Sequence, residues 1–579
     1  MKNTLEKLIQ EALKKLDIEV KDISLEHPAD LKMGDFSTNI AMALAKENKT
    51  NPKELAEKLV DEINKTLRSA LFEDLRADLE KIETKNGFIN FYLSQEFFID
   101  SVKEILENKN FGHNNLFVNK KIMVEYTDPN PFKPFHIGHL MTNAIGESIS
   151  RIVEFSGAKA IRANYQGDVG PHVAKAIYGL LKFGMPDENK SIPEKARYIG
   201  ELYAKGNDAY ETDEEAKKEI DEINQKVYDR SDKKLNEIYD WGKRVTLEAF
   251  EEIYKILGTS FNYYFFESLV APIGEKIVNE NLGKIFEKSD GAIVFKAEKY
   301  DPKLHTRVFI NSKGLPTYET KELGLSKMKF EKENPDISIV ITANEQGEYM
   351  KVVGKALEMI DPAYASKMRH ITHGMMRLAS GKMSSRKGNV VTGESLLLES
   401  CEQILGKIKD RNFTEEEKKQ TSEEVGVAAL KYSILKQNIG GDIIYDAEKS
   451  ISFEGDSGPY LQYSYARANS IVEKAKIENI LPGFLFSDDK SFLLPLSEVE
   501  RLLYRFPEVV ERAAKEFEPH YIANYLIDLA RAFNTYYGNT KIVDKDDSAS
   551  PYKIALTLAF SIVTRNGLYL LGIKAPERM

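Results

Sequence analysis

Between Lys121 and Gln166 the chain changes its hydrophobic period twice, and the change falls on a stretch that can be neither helix nor strand. KIMVEYT, starting at Lys121, is a short run of buried-strand type. DPNPFKPF comes next, and its three prolines forbid regular structure because each lacks a backbone N–H and fixes its own φ. HIGHLMTNAIGESISRIVEFSG then carries apolar residues at helical spacing and ends near Gly157. AKAIRANYQ is the next strand candidate. Strand, loop, helix and strand in that order open an α/β domain with a parallel sheet.

The same pattern resumes at DISIVITANEQGEYMKVVGKALEMI, a strand and then a helix, and RHITHGMM reads as a last strand before the loop LASGKMSSRKGNVV. The run from about 187 to 240 is dense in Lys, Glu and Asp and reads as a helical insertion packed on the surface. Ahead of the α/β pattern, residues 1–115 form an α+β block: a helical start, HPADLKMGDFSTNIAMALAKE, a second helical run, and the strand-like KNGFINFYLS. ENKNFGHNNLFVNK (107–120), rich in Asn and Gly, is the linker. From about 420 onward apolar residues recur at helical spacing. The expected organisation is therefore 1–115, then an α/β domain over 116–420, then an all-helical domain over 421–579. At about 150 residues per domain, 579 residues give roughly the same count.

Composition excludes more than it identifies. No apolar run approaches the ~18–20 residues of a membrane span. The first helix, with Leu5, Leu8, Ile9, Ala12, Leu13 and Leu16 separated by Lys and Glu, is amphipathic rather than a signal peptide, so the expected location is the cytoplasm. One cysteine, Cys401, rules out an intramolecular disulfide and any cysteine-based zinc cluster. The net charge of −10 counts against a non-specific nucleic-acid binder, though not against local basic patches.

Two short motifs carry chemistry. Phe135-His136-Ile137-Gly138-His139 sits where the loop turns into the helix. A helix N-terminus offers unpaired N–H groups and a positive dipole end, both suited to phosphate. The two imidazoles can donate to phosphate oxygens, and Gly138 lets a base or ribose approach the backbone. In Gly381-Lys382-Met383-Ser384-Ser385-Arg386-Lys387-Gly388, glycines bracket three cations and two hydroxyls, a loop attractive to a polyphosphate. Either motif alone is compatible with a capping turn or a solvated basic loop.

Together, about 250 residues apart, they resemble the two signatures of the class I aminoacyl-tRNA synthetases. Glu125-Tyr-Thr-Asp-Pro-Asn130-Pro-Phe-Lys133-Pro-Phe-His-Ile-Gly-His resembles the arginine-specific branch of that family, as does Gly167-Asp168-Val169-Gly170, with Val169 and His172 departing from the branch's Trp and Gln. Tyr318-x-x-x-Glu322 resembles its Tyr-x-x-x-Asp element, with Glu for Asp, and Gln346 resembles a pocket glutamine. GPYLQYSYARANSI, LARAFNTYYGNTKI and LLGIKAPERM resemble the branch's anticodon-binding domain, and HPADLKMGDFSTNIAMALAK its N-terminal domain.

The resemblance implies a ligase that activates arginine with ATP and Mg2+, passes it to tRNA(Arg), acts as a monomer, and needs tRNA bound even for the first step. It implies that 1–115 grips the tRNA elbow and 421–579 the anticodon. It places ATP on His136, Gly138, His139, Lys382, Met383, Ser384, Ser385, Arg386 and Lys387, with His136, His139, Lys133 and Lys382 catalytic. It places arginine among Glu125, Asn130, Tyr318, Glu322 and Gln346. The chemistry agrees, because a guanidinium is planar, permanently charged and rich in donors, and so calls for carboxylates and planar acceptors. How those five residues divide between guanidinium and α-ammonium stays open. On residues alone, Tyr318 fits a core tyrosine equally well, Glu322 is compatible with a solvated helix charge and Asn130 with a turn former; Glu125 on a hydrophobic strand is harder to dismiss, because a buried lone carboxylate is costly, while an exposed strand end stays open. The second signature usually carries a further lysine where Ser385 stands, and Lys133 is the substitute expected, with Arg386 and Lys387 the other candidates. No metal ligands are expected on the protein. A cysteinyl relative would need zinc ligands, a glutamyl one would need cations around its substrate, and a degenerate relative or a plain nucleotidyltransferase would lack the signatures or the tRNA-binding ends.

Overall fold

The computed structural model describes residues 1–579 apart from 21, 380–390 and 485–494. The chain separates into two compact units, one of residues 1–111, 468–506 and 529–563, the other of residues 112–467, 507–528 and 564–579.

In the larger unit KIMVE forms β1 (Lys121–Glu125), with Ile122, Met123 and Val124 wholly buried, as a strand covered on both faces requires. β2 (Lys159–Gln166), β3 (Tyr263–Phe266), β4 (Ile337–Ala343) and β5 (Met368–His373) join it in a parallel sheet of order β5-β4-β1-β2-β3. The chain leaves β1 on one side and returns on the other as β4, so the topological switch lies between β1 and β4. Open α/β sheets bind their ligands in the crevice at the strands' carboxyl ends, at that switch.

Four connections cover the sheet. α1 (Ile137–Phe155) joins β1 to β2. Between β2 and β3 lie α2 (Pro171–Phe183), α3 (Ile192–Thr212), α4 (Glu214–Asp229) and α5 (Lys233–Leu257). Between β3 and β4 lie α6 (Glu267–Glu280), a three-stranded antiparallel sheet and α7 (Tyr318–Glu333). α8 (Gly347–Ile360) joins β4 to β5. The charged run expected as an insertion is helical, and its sparse apolar residues suffice: Ile199, Ile220, Ile223 and Leu235 close a core with Val173 and Ile177 of α2. α6 and α7 pack backbone to backbone. A Cβ on Gly274 would lie 1.9 Å from the Thr320 carbonyl oxygen, and one on Gly324 2.1 Å from that of Val270.

From Gly393 on, the described chain is helical save for Ile443–Tyr445, which pairs in parallel with Met376–Leu378. Lys431, wholly buried on the helix Glu415–Leu435, donates to the Leu257 carbonyl at 2.7 Å and the Gly572 carbonyl at 2.8 Å. Burial pulls its pKa down to about 7.

The smaller unit is α+β over its first part. Phe88–Leu93 runs antiparallel between Phe36–Thr38 and Leu79–Lys85. Helices Lys2–Lys15 and Pro52–Leu67 bury Leu5, Leu8 and Ile9, and Leu55, Leu59 and Ile63, as their spacing predicts. Within this unit Asp35 is wholly buried, ion-paired with Arg501, and accepts from the Leu93 N–H at 2.9 Å.

Candidate active site

The loop from β1 to α1 is held in a conformation that ordinary residues avoid. Thr127, Asp128 and Phe132 have φ of 77°, 48° and 67°, left-handed values that side chains with a Cβ rarely adopt. Specific bonds hold it. The Asp128 carboxylate accepts from the Tyr165 N–H at 2.7 Å, Asn143 donates to the Thr127 hydroxyl at 3.0 Å, and the Asn130 side-chain oxygen accepts from the Gly167 N–H at 2.9 Å. A Cβ on Gly167 would sit 2.5 Å from that Asn130 oxygen, so this glycine is needed for close approach. The Asn130 side chain therefore does not close its own turn but ties the loop to the carboxyl end of β2, 37 residues further along the chain.

His136 and His139 open α1 as a reciprocal pair. The His136 N–H donates to His139 Nδ1 at 3.2 Å, the His139 N–H donates to His136 Nδ1 at 3.4 Å, and the rings stack with centroids 3.4 Å apart. Enclosure by protein first, and the Lys133 ammonium among the charges nearby, lower His136 to about 4 although its ring still reaches solvent; His139 is held lower still than an ordinary histidine by burial and by His136. Both rings are thus neutral. Since each Nδ1 accepts, each proton sits on Nε2, leaving two neutral N–H donors at a helix N-terminus. A Cβ on Gly138 would lie 3.0 Å from the His136 ring, so a side chain here would crowd that imidazole. Lys133 stands beside them, its ammonium 5.4 Å from the Tyr203 ring of the insertion, with its pKa lowered by burial and by Lys175.

The second signature residues, Lys382, Met383, Ser384, Ser385, Arg386 and Lys387, lie outside the described residues. A few residues beyond them, at the start of the helix Gly393–Ile408, the Gly393 N–H donates to the Phe135 carbonyl at 2.8 Å. The chain downstream of those residues is therefore anchored on the first signature.

Beside the β1–α1 loop the interior is acidic. Glu125, the last residue of β1, is 2 % exposed and ion-paired with Lys329 of α7, itself 1 % exposed. It is no exposed strand end. Glu322 is 9 % exposed and no solvated helix charge; burial, and then the neighbouring Glu125, push it up to about 8. The same two causes raise Asp128 well above the usual carboxylate range. Glu267, at the start of α6, accepts from Lys321 at 2.6 Å, both almost fully buried, and burial still raises the Glu267 carboxyl. Four carboxyl groups, Glu125, Asp128, Glu267 and Glu322, thus share this interior with the ammonium groups of Lys321 and Lys329, and Lys133 also acts on Glu267. Tyr318 precedes Glu322 by one helical turn and is 64 % exposed, which excludes a core role. Gln346 lies just past the carboxyl end of β4, exposed, and accepts from the Tyr349 hydroxyl at 3.5 Å.

The family model of the tRNA synthetases class I (R) catalytic domain matches residues 101–447, that of the arginyl tRNA synthetase N terminal domain residues 3–93, and that of the DALR anticodon binding domain residues 461–579. The chain belongs to the arginyl-tRNA synthetase family. Arginine–tRNA ligases of Clostridium perfringens (30 % identical, 99 % of each chain covered) and Borrelia garinii (31 %, covering 98 % of this chain and 96 % of the other) resemble it along almost its entire length. The solved arginyl-tRNA synthetase of Thermus thermophilus is 26 % identical and superposes over 100 % of both chains with a TM-score of 0.81.

Several charged residues around this synthetase site escape a reading of the sequence. Lys321 and Lys329 look like solvated helix charges, although Lys329 falls two turns beyond Glu322 on one face of α7. Glu267 and Asp168 give no motif signal for what they bind. Asp168, wholly buried, accepts from Lys243 at 2.7 Å, Tyr239 at 3.0 Å and Ser268 at 2.7 and 2.9 Å, and so ties α5 to the start of α6. Tyr228 of α4 faces the Lys321–Glu267 pair, so the insertion expected to pack on the surface reaches the site with its inner face.

Proposed function

We propose that the chain activates L-arginine with Mg-ATP and transfers it to tRNA(Arg), the acidic chamber beside the first signature receiving the guanidinium. The observation that carries this reading is the excess of acidic groups: carboxyl groups outnumber ammonium groups there, and burial together with the neighbouring Glu125 holds Glu322 and Asp128 towards their protonated forms, so an arriving cation lets a carboxyl ionise. A permanently charged guanidinium with five donors is such a cation.

In the first step an oxygen of arginine's carboxylate bonds to the α-phosphorus of ATP. The bond from that phosphorus to the bridging oxygen breaks, and the electron pair leaves with pyrophosphate. No protein nucleophile is needed, so catalysis is orientation plus stabilisation of charge on the phosphoryl oxygens. His136 and His139 donate from Nε2, and Gly138 admits the nucleoside to the backbone. Lys133, Lys382 and the Met383, Ser384, Ser385, Arg386 and Lys387 loop hold the leaving pyrophosphate, Lys133 standing in for the lysine that Ser385 replaces. Glu322 and Glu125 face the guanidinium with the Tyr318 hydroxyl, while Asn130 and Gln346, at the strand ends, face the α-ammonium. Mg2+ arrives on the ATP phosphates, a mode suited to an ion that keeps waters and takes few protein ligands. In the second step the 2′-hydroxyl of the terminal adenosine attacks the activated carbonyl and AMP leaves.

Residues 1–115 contact the tRNA elbow and 421–579 the anticodon. Tyr537 is exposed and Tyr460, Tyr463 and Tyr536 are half-buried, and these are the candidates for stacking on bases, whereas Tyr465, a further candidate on sequence, is buried. No helix among the described residues is long and apolar enough to cross a membrane. A monomer acting in the cytoplasm completes the proposal.

Arginine-dependent ATP–pyrophosphate exchange, with and without tRNA and with lysine, glutamate and cysteine as controls, tests the reading. Exchange with arginine only, and only with tRNA present, is expected. Exchange without tRNA would remove the tRNA requirement, and no exchange under any condition would overturn the catalytic reading.

A further inference from the structure

The first long helix of the charged insertion, α3, lies against the first signature, and glycines set the approach. A Cβ on Gly206 of α3 would lie 2.1 Å from the Lys175 carbonyl oxygen of α2. One on Gly179 of α2 would lie 2.7 Å from the Leu202 carbonyl oxygen of α3, so these two helices meet backbone to backbone. A Cβ on Gly200 would lie 3.0 Å from the ring of Pro134, the residue between Lys133 and Phe135. Glycine is a poor helix former, and close approach on two sides is what Gly200 and Gly206 supply in return.

That approach delivers a row of side chains. Tyr203, Asn207 and Tyr210 follow Gly200 at the three- and four-residue spacing that keeps residues on one helix face. The Tyr203 ring lies 5.4 Å from the Lys133 ammonium, within cation–π range. Further along the same face, Asn207 accepts from the Lys175 ammonium at 2.8 Å, and the Tyr210 ring lies 4.2 Å from it. One face of α3 thus holds two lysines that come from different elements.

Both lysines are short of negative charge. The Lys133 ammonium has no hydrogen-bond or ion-pair partner among the described residues, and the carboxylate that acts on it, Glu267, is bound by Lys321. Among the described residues the acidic partner of Lys175 is Glu211, 4.0 Å away and 67 % exposed, where an ion pair is worth little. The lysines are near enough that Lys175, after burial, is a cause of the lowered Lys133 pKa. Two like charges held together in partial burial are stabilised by an anion that carries more than one charge.

We propose that α3 is a wall of the polyphosphate site: Tyr203 is the positioning residue for Lys133, and Lys175, held by Asn207 and Tyr210, is a second cation for the pyrophosphate end of ATP. The proposal rests on the reading of the chain as an arginine-activating enzyme with Lys133 on pyrophosphate. It gives the insertion a part in the first step, in which the two ammonium groups take up the charge that collects on the leaving pyrophosphate.

Three variants test it. Tyr203→Phe keeps the ring face and loses no hydrogen bond among the described residues. Tyr203→Leu removes the ring, and Lys175→Met keeps the stem without the charge. Arginine-dependent pyrophosphate exchange with tRNA present reads the KM for pyrophosphate and the KM for arginine, and calorimetric titration of inorganic tripolyphosphate reads binding without turnover. Tyr203→Leu and Lys175→Met each raise the KM for pyrophosphate and weaken tripolyphosphate by about tenfold, while the KM for arginine stays within about twofold of the wild type and Tyr203→Phe matches it. Tyr203→Leu added to Lys133→Met brings no further loss, because its effect runs through that lysine.

Tyr203→Phe as impaired as Tyr203→Leu, a full further loss in the double variant, or an equal rise in the KM for arginine would make α3 a structural prop and overturn the proposal. Unchanged tripolyphosphate binding in Lys175→Met would overturn it as well. Weakened tripolyphosphate binding in Tyr203→Leu and Lys175→Met, in a protein that shows no arginine-dependent exchange, would uphold the wall and overturn the proposed function.

Discussion

Lys329 of α7 holds the Glu125 carboxylate from inside the protein, an ion pair in which neither side chain is more than 2 % exposed. The small worth of an exposed salt bridge is no guide to such a pair, whose importance shows when one partner is removed. Lys329→Met leaves Glu125 beside Asp128 and Glu322 with no counter-charge. It should lower unfolding free energy by about 3–5 kcal/mol, and Lys329→Met with Glu125→Gln should recover most of the loss. Urea denaturation of the wild type and the two variants checks this; an unchanged midpoint in the single variant would show that the pair does not hold the chamber.

Glu322 makes stability and arginine affinity depend on pH in opposite senses. Its folded pKa, about 8, lies above the ordinary glutamate value of 4.5. Its contribution to stability is therefore fully present below pH 4.5 and is lost as pH rises towards 8. Glu322→Gln should flatten the stability profile across that window. Arginine favours the ionised form, so its binding should release a proton and tighten as pH rises towards 8, in step with the ionised fraction. Calorimetry in buffers of different ionisation enthalpy reads the proton directly, and no proton release near neutrality would refute the assignment.

The stacked histidines should work as neutral donors. With His136 lowered to about 4, kcat for pyrophosphate exchange should show no break near 6.5 on the acid side. Alanine at either position should cost about 10²–10³ in kcat, the range for removing one donor to developing charge. Because each ring also caps the other's backbone, the double variant should cost much less than the product of the two single losses. An acid-side break near 6.5 would mean that the imidazoles act as cations.

Asp168 should matter to the insertion more than to the chemistry. Asp168→Asn leaves Lys243 half-buried without its carboxylate and removes an acceptor shared by α5 and α6. Amides of α5 near Lys243 should exchange faster, and stability should fall by about 3 kcal/mol. Protection equal to that of the wild type would overturn this role.

The first signature is legible in the sequence because its information is local. Three prolines, a helix start and a glycine lie within a few residues, and the structure places β1 and α1 where that pattern predicts them. The chamber is harder to read. Lys321 and Lys329 carry the charge that normally marks a solvated face, and only their distant partners, Glu267 and Glu125, explain their burial. The sheet order is not legible either, since nothing local says on which side of β1 the chain returns. The candidate residues from Lys382 to Lys387 fall outside the described residues.

The contact of Gly274 and Gly324 with the facing backbone has a bearing on how such a site could change. Glu267 stands on α6, and Tyr318, Lys321 and Glu322 on α7, so the acidic interior is built on two helices whose separation is set by main chain against main chain. Exchanging side chains on those helices would recolour the chamber without widening it. A bulkier amino acid would need the glycines themselves to change, and with them the spacing of the two helices, which makes breadth of specificity a property that drift through single surface substitutions would not reach.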